Sequence, residues 1–397
     1  MPVAIWVVVA AASASISLAL GVRQTFGLFL LPLAQEQGLS PAILGTAVAV
    51  HNLLWGLSQP VSGAIADRHG AGRVMAGGAL FLAAGLALPA LFPNALTVLF
   101  GIGILTGIGV SCTGTGAALA AVGRAVPPAK RGEMIGLASA GGSLGQAAMV
   151  PMAQSLIGGL GAVMTLGILA LTMLLIVPIA RTIEWRPPAQ TSGPAPTGLA
   201  GLPALASMAL RDRDYALLTL GFFACGFQLA FLTVHLPSYV VLCGLPAGLG
   251  AMALMTIGLF NIPGSWLCGR VSNYMRPELA LGWIYMVRSV AIACFVLAPP
   301  SYGGTLVFAA MMGFTWLGTI PLTSAAIARR FGVADLGALY GVCFLSHQVG
   351  GFLGAGAGAV LLETTGSYDA FWPVMVVVGI TASAVNWITR PPVRAMA

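Results

Sequence analysis

GAIADRHGAGR, residues 63–73, crowds Asp67, Arg68, His69 and Arg73 into a short polar stretch with a long apolar run on either side, 42–66 and 72–92. A run of about 20 apolar residues crosses a bilayer as a helix, whereas barrel strands alternate over about 10. The stretch therefore reads as a turn at the water interface between two membrane helices. The same alternation continues along the chain of 397 residues, 58% hydrophobic and 7% charged, with mean hydropathy +0.96. A soluble globule carries charge on about a quarter of its residues, so the composition excludes one. At about 33 residues per helix and connection, the length leaves no room for a separate soluble enzyme domain.

Hydropathy predicts twelve spans, at 4–33, 42–66, 72–92, 97–122, 133–157, 160–181, 215–241, 248–272, 278–298, 303–328, 337–362 and 368–389. The first lacks a basic segment ahead of it and is too long for a signal peptide, so it is expected to be retained. Of the seventeen Lys and Arg residues, all but Arg23 and Arg288 fall in the even-numbered connections or the tail. The positive-inside rule then places both termini in the cytoplasm. The net charge of +7 is thereby read as orientation, with the lipid bilayer as the partner and no nucleic acid expected.

Prolines 187, 188, 194 and 196 lie in the one long hydrophilic stretch, which divides six spans from six. The expected organisation is a bundle at 1–182, a cytoplasmic linker at 183–213, a second bundle at 214–390 and a tail at 391–397. Gly21, Arg23, Phe26, Leu31 and Pro32 are matched, at one constant offset, by Gly226, Gln228, Phe231, Leu236 and Pro237. Such a repeat is how one large class of transporters builds a midplane site between two halves that rock against each other.

Gly63, Asp67, Arg68, Gly70 and Arg73 stand in the order G-x-x-x-D-R-x-G-x-x-R, which resembles the signature loop of the major facilitator superfamily. Its carboxylate and guanidinium would latch a gating state by pairing with a neighbouring helix end. The equivalent place after the eighth span reads Gly269, Arg270 and Arg276, without the acid. Gly21 to Pro32, Gly226 to Pro237, Asn261 to Arg276 with Arg288, and LSHQVGGFLG at 345–354 with the following 365–369 are similar to bacterial relatives of the monocarboxylate and oxalate:formate transporters. The resemblance implies an all-α membrane protein of two six-helix bundles in a bacterial cytoplasmic (inner) membrane, with spans 1, 4 and 10 lining a central cavity. It puts Arg23 where monocarboxylate carriers have a lysine. Asn261 falls where they have an aspartate, and Ser265 where they have an arginine.

An arginine deep in a span costs roughly 2.5–3.5 kcal/mol to insert and stays protonated, so it must face a cavity or a partner. Arg23 is expected to bind a carboxylate through its guanidinium fork. Arg288, in the ninth span, is either a second ligand or structural. All ten Asp and Glu residues lie in connections or at span ends, which weighs against a multidrug exporter using a buried acid and against an intramembrane aspartyl protease. Proton coupling would then fall to histidine or to the substrate's own carboxyl group. His51, His235 and His347 are the candidates, each with an interhelical hydrogen bond as the alternative role. Gln228, Asn261, Trp316, His347, Gln348 and Thr113 complete the expected polar site. The six cysteines read as small core residues, and neither they nor the histidines show metal-ligand spacing.

No nucleotide-binding loop, metalloprotease motif or nucleophile elbow is present in a usable context, so no enzyme activity and no cofactor is expected. The reading is a secondary transporter of a small organic anion, a monocarboxylate, working by alternating access, with a single chain sufficing as the functional unit. The runner-up is an exporter of a larger amphipathic compound. A polytopic membrane enzyme or receptor is the weaker alternative.

Overall fold

The computed structural model describes residues 3–126, 131–183, 185, 201–271, 274–331 and 336–390. Most of the expected linker, and all of the tail at 391–397, lie outside the described residues. The first half comprises α1 (Val3–Thr25), α2 (Leu30–Gln37), α3 (Pro41–His69), α4 (Ala71–Leu91), α5 (Ala95–Val98), α6 (Thr106–Thr113), α7 (Thr115–Ala125), α8 (Arg131–Leu160), α9 (Ala162–Met173) and α10 (Ile176–Ala180). A short α11 (Leu202–Arg211), which hydropathy does not predict, precedes the second half. That half comprises α12 (Arg213–Leu242), α13 (Ala247–Val271), α14 (Pro277–Leu297), α15 (Tyr302–Thr315), α16 (Thr319–Phe331), α17 (Leu336–Thr365) and α18 (Phe371–Trp387). Among the described residues nine helical stretches are long and apolar enough to cross a membrane, and α15 and α18 are shorter apolar helices.

Local chemistry sets the ends and breaks. Ser40 caps α3 by accepting the Ala42 N–H, with Pro41 in the first turn, and Asp212 caps α12 by accepting the Tyr215 N–H. Gly70 alone joins α3 to α4 at φ +93°, a conformation that L side chains rarely adopt. The glycine of the 63–73 stretch is therefore required by the turn itself, whereas a side chain at Gly63 would meet nothing among the described residues.

Four expected spans are interrupted, the sixth of them at Leu174 and Leu175 between α9 and α10. The first passes through a 3-10 turn at Phe26–Phe29, one turn ahead of Pro32, which can supply no N–H to the carbonyl of residue 28. The fourth contains a π segment at Leu99–Leu105 and an extended residue at Gly114. The tenth breaks between Thr315 and Thr319, where Pro321 likewise leaves the Leu317 carbonyl without an ordinary α-helical donor.

The helices of each half pack chiefly on one another, and the duplication is visible in how they do so. α1 lies along α8 and α12 along α17. The repeat-related glycines make corresponding close contacts, Gly21 with Gly145 and Met149, Gly226 with the His347 carbonyl. The halves meet along two further related seams, α3 with α17 and α8 with α13.

The face that carries the start of α12 and the end of α18 is termed the terminal face. There Arg330 Nη2 donates to Asp212 Oδ2 at 2.8 Å and Asp214 Oδ2 at 2.7 Å, and Arg390 N–H donates to Asp214 Oδ1 at 3.2 Å. Burial alone would raise the Asp212 carboxyl, but the hydrogen bond and charge of Arg330 and the N–H of Tyr215 hold it below its ordinary value. At the opposite face Glu36 accepts the Ala162 N–H at 2.8 and 3.0 Å, and the Ser40 hydroxyl donates to Glu363 across the halves at 2.5 Å. Five of the six cysteines are buried or half-buried, as expected of small interior residues, with Cys225 and Cys343 buried, and Cys294 departs from the expectation by being exposed.

Gly27, in the 3-10 turn after α1, packs directly on α12 of the other half, because a Cβ there would run into the Thr233 and Val234 carbonyl oxygens. Overpacking of this kind costs about 1–3 kcal/mol. Gly27→Ala is expected to part the opposite-face halves of α1 and α12, accelerating amide hydrogen exchange over residues 228–238 by about 5- to 100-fold. Unchanged exchange would show that the contact does not hold the halves together.

Candidate functional site

Arg23 lies in the last turn of α1, immediately before the 3-10 turn, and is partly exposed between the buried Val22 and Gln24. Its Nη2 donates to Asn52 Oδ1 of α3 at 3.1 Å, and its guanidinium carbon lies 5.1 Å from the centre of the Trp55 ring. Its Nε has no partner, and no described carboxylate pairs with it. The cation is held by an amide and a ring face, both neutral, which leaves donor capacity for an anion.

The other half of the chain closes on the same point. Gln348 Nε2 of α17 donates to the Asn52 carbonyl at 3.1 Å, and Asn52 Nδ2 reaches the Gly351 carbonyl at 3.5 Å. His347 Nδ1 is 2.8 Å from Gln348 Oε1. That oxygen can only accept, so Nδ1 carries the hydrogen and a neutral His347 keeps a lone pair on Nε2. Trp55 Nε1 donates to Gln59 Oε1 at 3.0 Å. From the opposite face down to Gly56 and Gln348 the α3–α17 seam is tight. Beyond it, toward the terminal face, Tyr340, Phe344 and His347 are all partly exposed.

Of the expected site residues the structure thus brings Arg23, His347 and Gln348 together, and it places the others elsewhere. Gln228 turns to α18, donating to the Met375 carbonyl at 3.1 Å, and does not face Arg23. Arg288 is fully buried and bonds the end of α15: Nη2 donates to the Thr315 carbonyl and, at 2.8 Å, to that of Trp316, and Nε donates to Thr315 Oγ1 at 3.2 Å. Its Nη1 meets Cys225 Sγ at 3.3 Å. Trp316 is buried, and its peptide belongs to this clamp.

Asn261 takes the other side of the same break. Its Oδ1 accepts the Leu317 N–H at 3.0 Å and the Ser265 hydroxyl at 2.9 Å, while its Nδ2 crosses to Ser143 of α8 at 2.9 Å. Thr113 is buried and donates to the Gly109 carbonyl of its own helix at 2.8 Å.

Of the histidines, His235 is bonded at both nitrogens, to the Tyr368 hydroxyl at 2.9 Å and the Ala355 carbonyl at 2.8 Å, which makes it an interhelical tie. His51 bonds Thr106 Oγ1 at 2.8 Å through Nδ1, packs edge-on against Phe26 and leaves Nε2 unpartnered. In the signature stretch Arg73 is exposed, and the side chains of Asp67 and Arg68 lie outside the described residues. No group of three or more His, Cys, Asp or Glu residues suited to a metal occurs among the described residues.

Asn52 and Trp55 are site residues that the sequence reading left out. Their signal was present: Asn52, Trp55 and Gln59 recur at helical spacing on one face of the second span.

Two repeated sets of helices closing on a partly exposed guanidinium define a helical membrane carrier. The chain belongs to the major facilitator superfamily, whose family model matches residues 9–355, and it is a multi-pass transporter rather than an enzyme. It is 24% identical to the MFS-type transporter YcxA of Bacillus subtilis, over 91% of this chain and 89% of that one. It is 26% identical to the oxalate:formate antiporter of Oxalobacter formigenes, over 88% and 83%, and 25% identical to human monocarboxylate transporter 11, over 92% and 78%. The crystal structure of a bacterial homolog of the human lysosomal transporter Spinster, inward-facing and unoccupied, shares the fold with a TM-score of 0.72 at 14% identity, covering 98% of this chain and 95% of that one.

Proposed function

We propose that this transporter carries a small organic monocarboxylate across the cytoplasmic membrane of a bacterium by alternating access. Twelve spans in two bundles, 1–182 and 214–390, are joined by a cytoplasmic linker, with both termini in the cytoplasm. The observation that carries the reading is Arg23: a partly exposed guanidinium at the seam between the halves, bonded to an amide and covered by a ring, with no described carboxylate to neutralise it. A substrate carboxylate supplies the missing charge and accepts from the free Nε and an Nη. Names among the relatives, oxalate:formate antiporter and monocarboxylate transporter, support an anionic cargo.

With the terminal face cytoplasmic, the seam is sealed outside Arg23 and the site is reached from within. The Asp67–Arg68 stretch would latch the opposite, outward-open state. His347, one residue from Gln348 and partly exposed, is the group best placed to couple proton movement to the site.

The test is uptake by the purified chain in liposomes, with internal pH recorded, for lactate, oxalate and a lipophilic cation, with and without an imposed proton gradient. Saturable lactate uptake with internal acidification is the expected result. Proton release driven by the cation, without anion uptake, would overturn the reading in favour of an exporter.

A further inference from the structure

The aromatic side chains beside Arg23 suit a substrate larger and flatter than formate or lactate. Tyr340, Phe344 and His347 recur at i, i+4 and i+7 on α17 and so share one face of it. The Phe344 and His347 rings lie 5.7 Å apart, only 5° from parallel, and Tyr340 lies 6.3 Å from Phe344 at 27°. All three are partly exposed although they occupy a span, and Phe344 reaches Trp55 of the other half. They form a shelf of near-parallel rings, Phe344 and His347 offset-stacked and Tyr340 tilted from them. Trp55, which carries the Arg23 cation on its face, meets Phe344 edge-on at 5.3 Å, so the shelf begins directly beside the guanidinium. Phe222, fully buried, backs it from α12, 4.9 Å from His347 and 5.9 Å from Tyr340.

From Gln348 to Tyr340 this surface runs about 12 Å along the helix, at 1.5 Å per residue. A two- or three-carbon acid on Arg23 would leave most of it wet. Rings prefer offset stacking on other rings, a preference worth more than their apolar area alone.

We propose that the cargo is an aryl monocarboxylate, its carboxylate on Arg23 and Asn52 and its ring lying on the Phe344–His347 shelf. This rests on the anion reading above and adds the shape and chemistry of the body attached to the carboxylate. Arg23 sets the charge of the cargo and helix α17 sets its planarity.

The test is equilibrium binding to the purified full chain in detergent, using benzoate, phenylacetate, cyclohexanecarboxylate and lactate. Benzoate or phenylacetate is expected to bind at least tenfold more tightly than lactate, and more tightly than cyclohexanecarboxylate, which matches the ring in size but is not planar. Phe344→Leu, which keeps apolar bulk, is expected to bring the benzoate-to-cyclohexanecarboxylate ratio to about one, with unchanged elution and helicity showing that the variant is folded. Lactate binding as tight as benzoate, or a planar preference that survives Phe344→Leu, overturns the aryl assignment and leaves the anion reading standing. Failure of every carboxylate to bind overturns both.

Discussion

Arg23→Gln is expected to lower saturable carboxylate uptake by about 30-fold or more, while the folded carrier accumulates normally. The glutamine amide can still reach Asn52, so the tie between α1 and α3 is preserved in kind. What disappears is the charge. Truncating one partner of a desolvated, hydrogen-bonded charge pair costs about 2–5 kcal/mol, about 30- to several-thousand-fold in an equilibrium constant. Arg23→Lys is expected to fall in between, since an ammonium is a point charge without the fork that holds Asn52 and a carboxylate together.

Stability should move the other way. In the structure Arg23 has one side-chain hydrogen bond and an unpartnered Nε, so removing its charge relieves desolvation that the empty protein does not recover. Initial uptake rates at matched protein density, read beside thermal unfolding of the same preparations, check both halves. Lost uptake with an unchanged or raised unfolding midpoint is expected; intact uptake would remove Arg23 from the site.

Arg288→Leu should give the reverse pattern, with stability lost first. Arg288 closes two carbonyls and a hydroxyl at the end of α15, where the break before α16 leaves the last turn short of donors. Removing one partner from a buried, hydrogen-bonded charged cluster costs about 3–5 kcal/mol, and a loss of that size is expected. Arg288→Lys cannot span the same acceptors and should recover only part of it. Chemical unfolding in detergent measures the loss. A midpoint within error of the parent protein would mean that α15 and α16 are held without the clamp.

The two arginines look alike in sequence, each alone and deep in an apolar span, and the contrast between them marks what a sequence can reveal. Depth and charge were legible, and so was the turn at 63–73, because only glycine suits the backbone at Gly70. The side of the helix that each residue faces was not. Arg23 meets the seam because Asn52 and Trp55, on the face of α3 that packs on α17, hold it there, whereas Arg288 meets carbonyls released by a break that only Pro321 foreshadows.

Repeat symmetry misled in the same way. Gln228 stands at the repeat position of Arg23, yet a side chain that finds the Met375 carbonyl on α18 has no need of the seam. His235 is likewise satisfied by a carbonyl and a hydroxyl more than a hundred residues away in sequence, partners that no spacing announces. Asn52 and Trp55 carried a readable stripe, but an amide and an indole in a span are individually ordinary, and their importance comes from the guanidinium opposite.

Asn261 grips the broken helix through Leu317 and the other half of the protein through Ser143. If α8 and α13 separate during the transport cycle, the Asn261 amide must exchange a hydroxyl for water or remain unsatisfied in a poorly polar seam. The opening stroke then draws at least one water molecule into the membrane interior, and its barrier should respond to osmotic stress as well as to substrate.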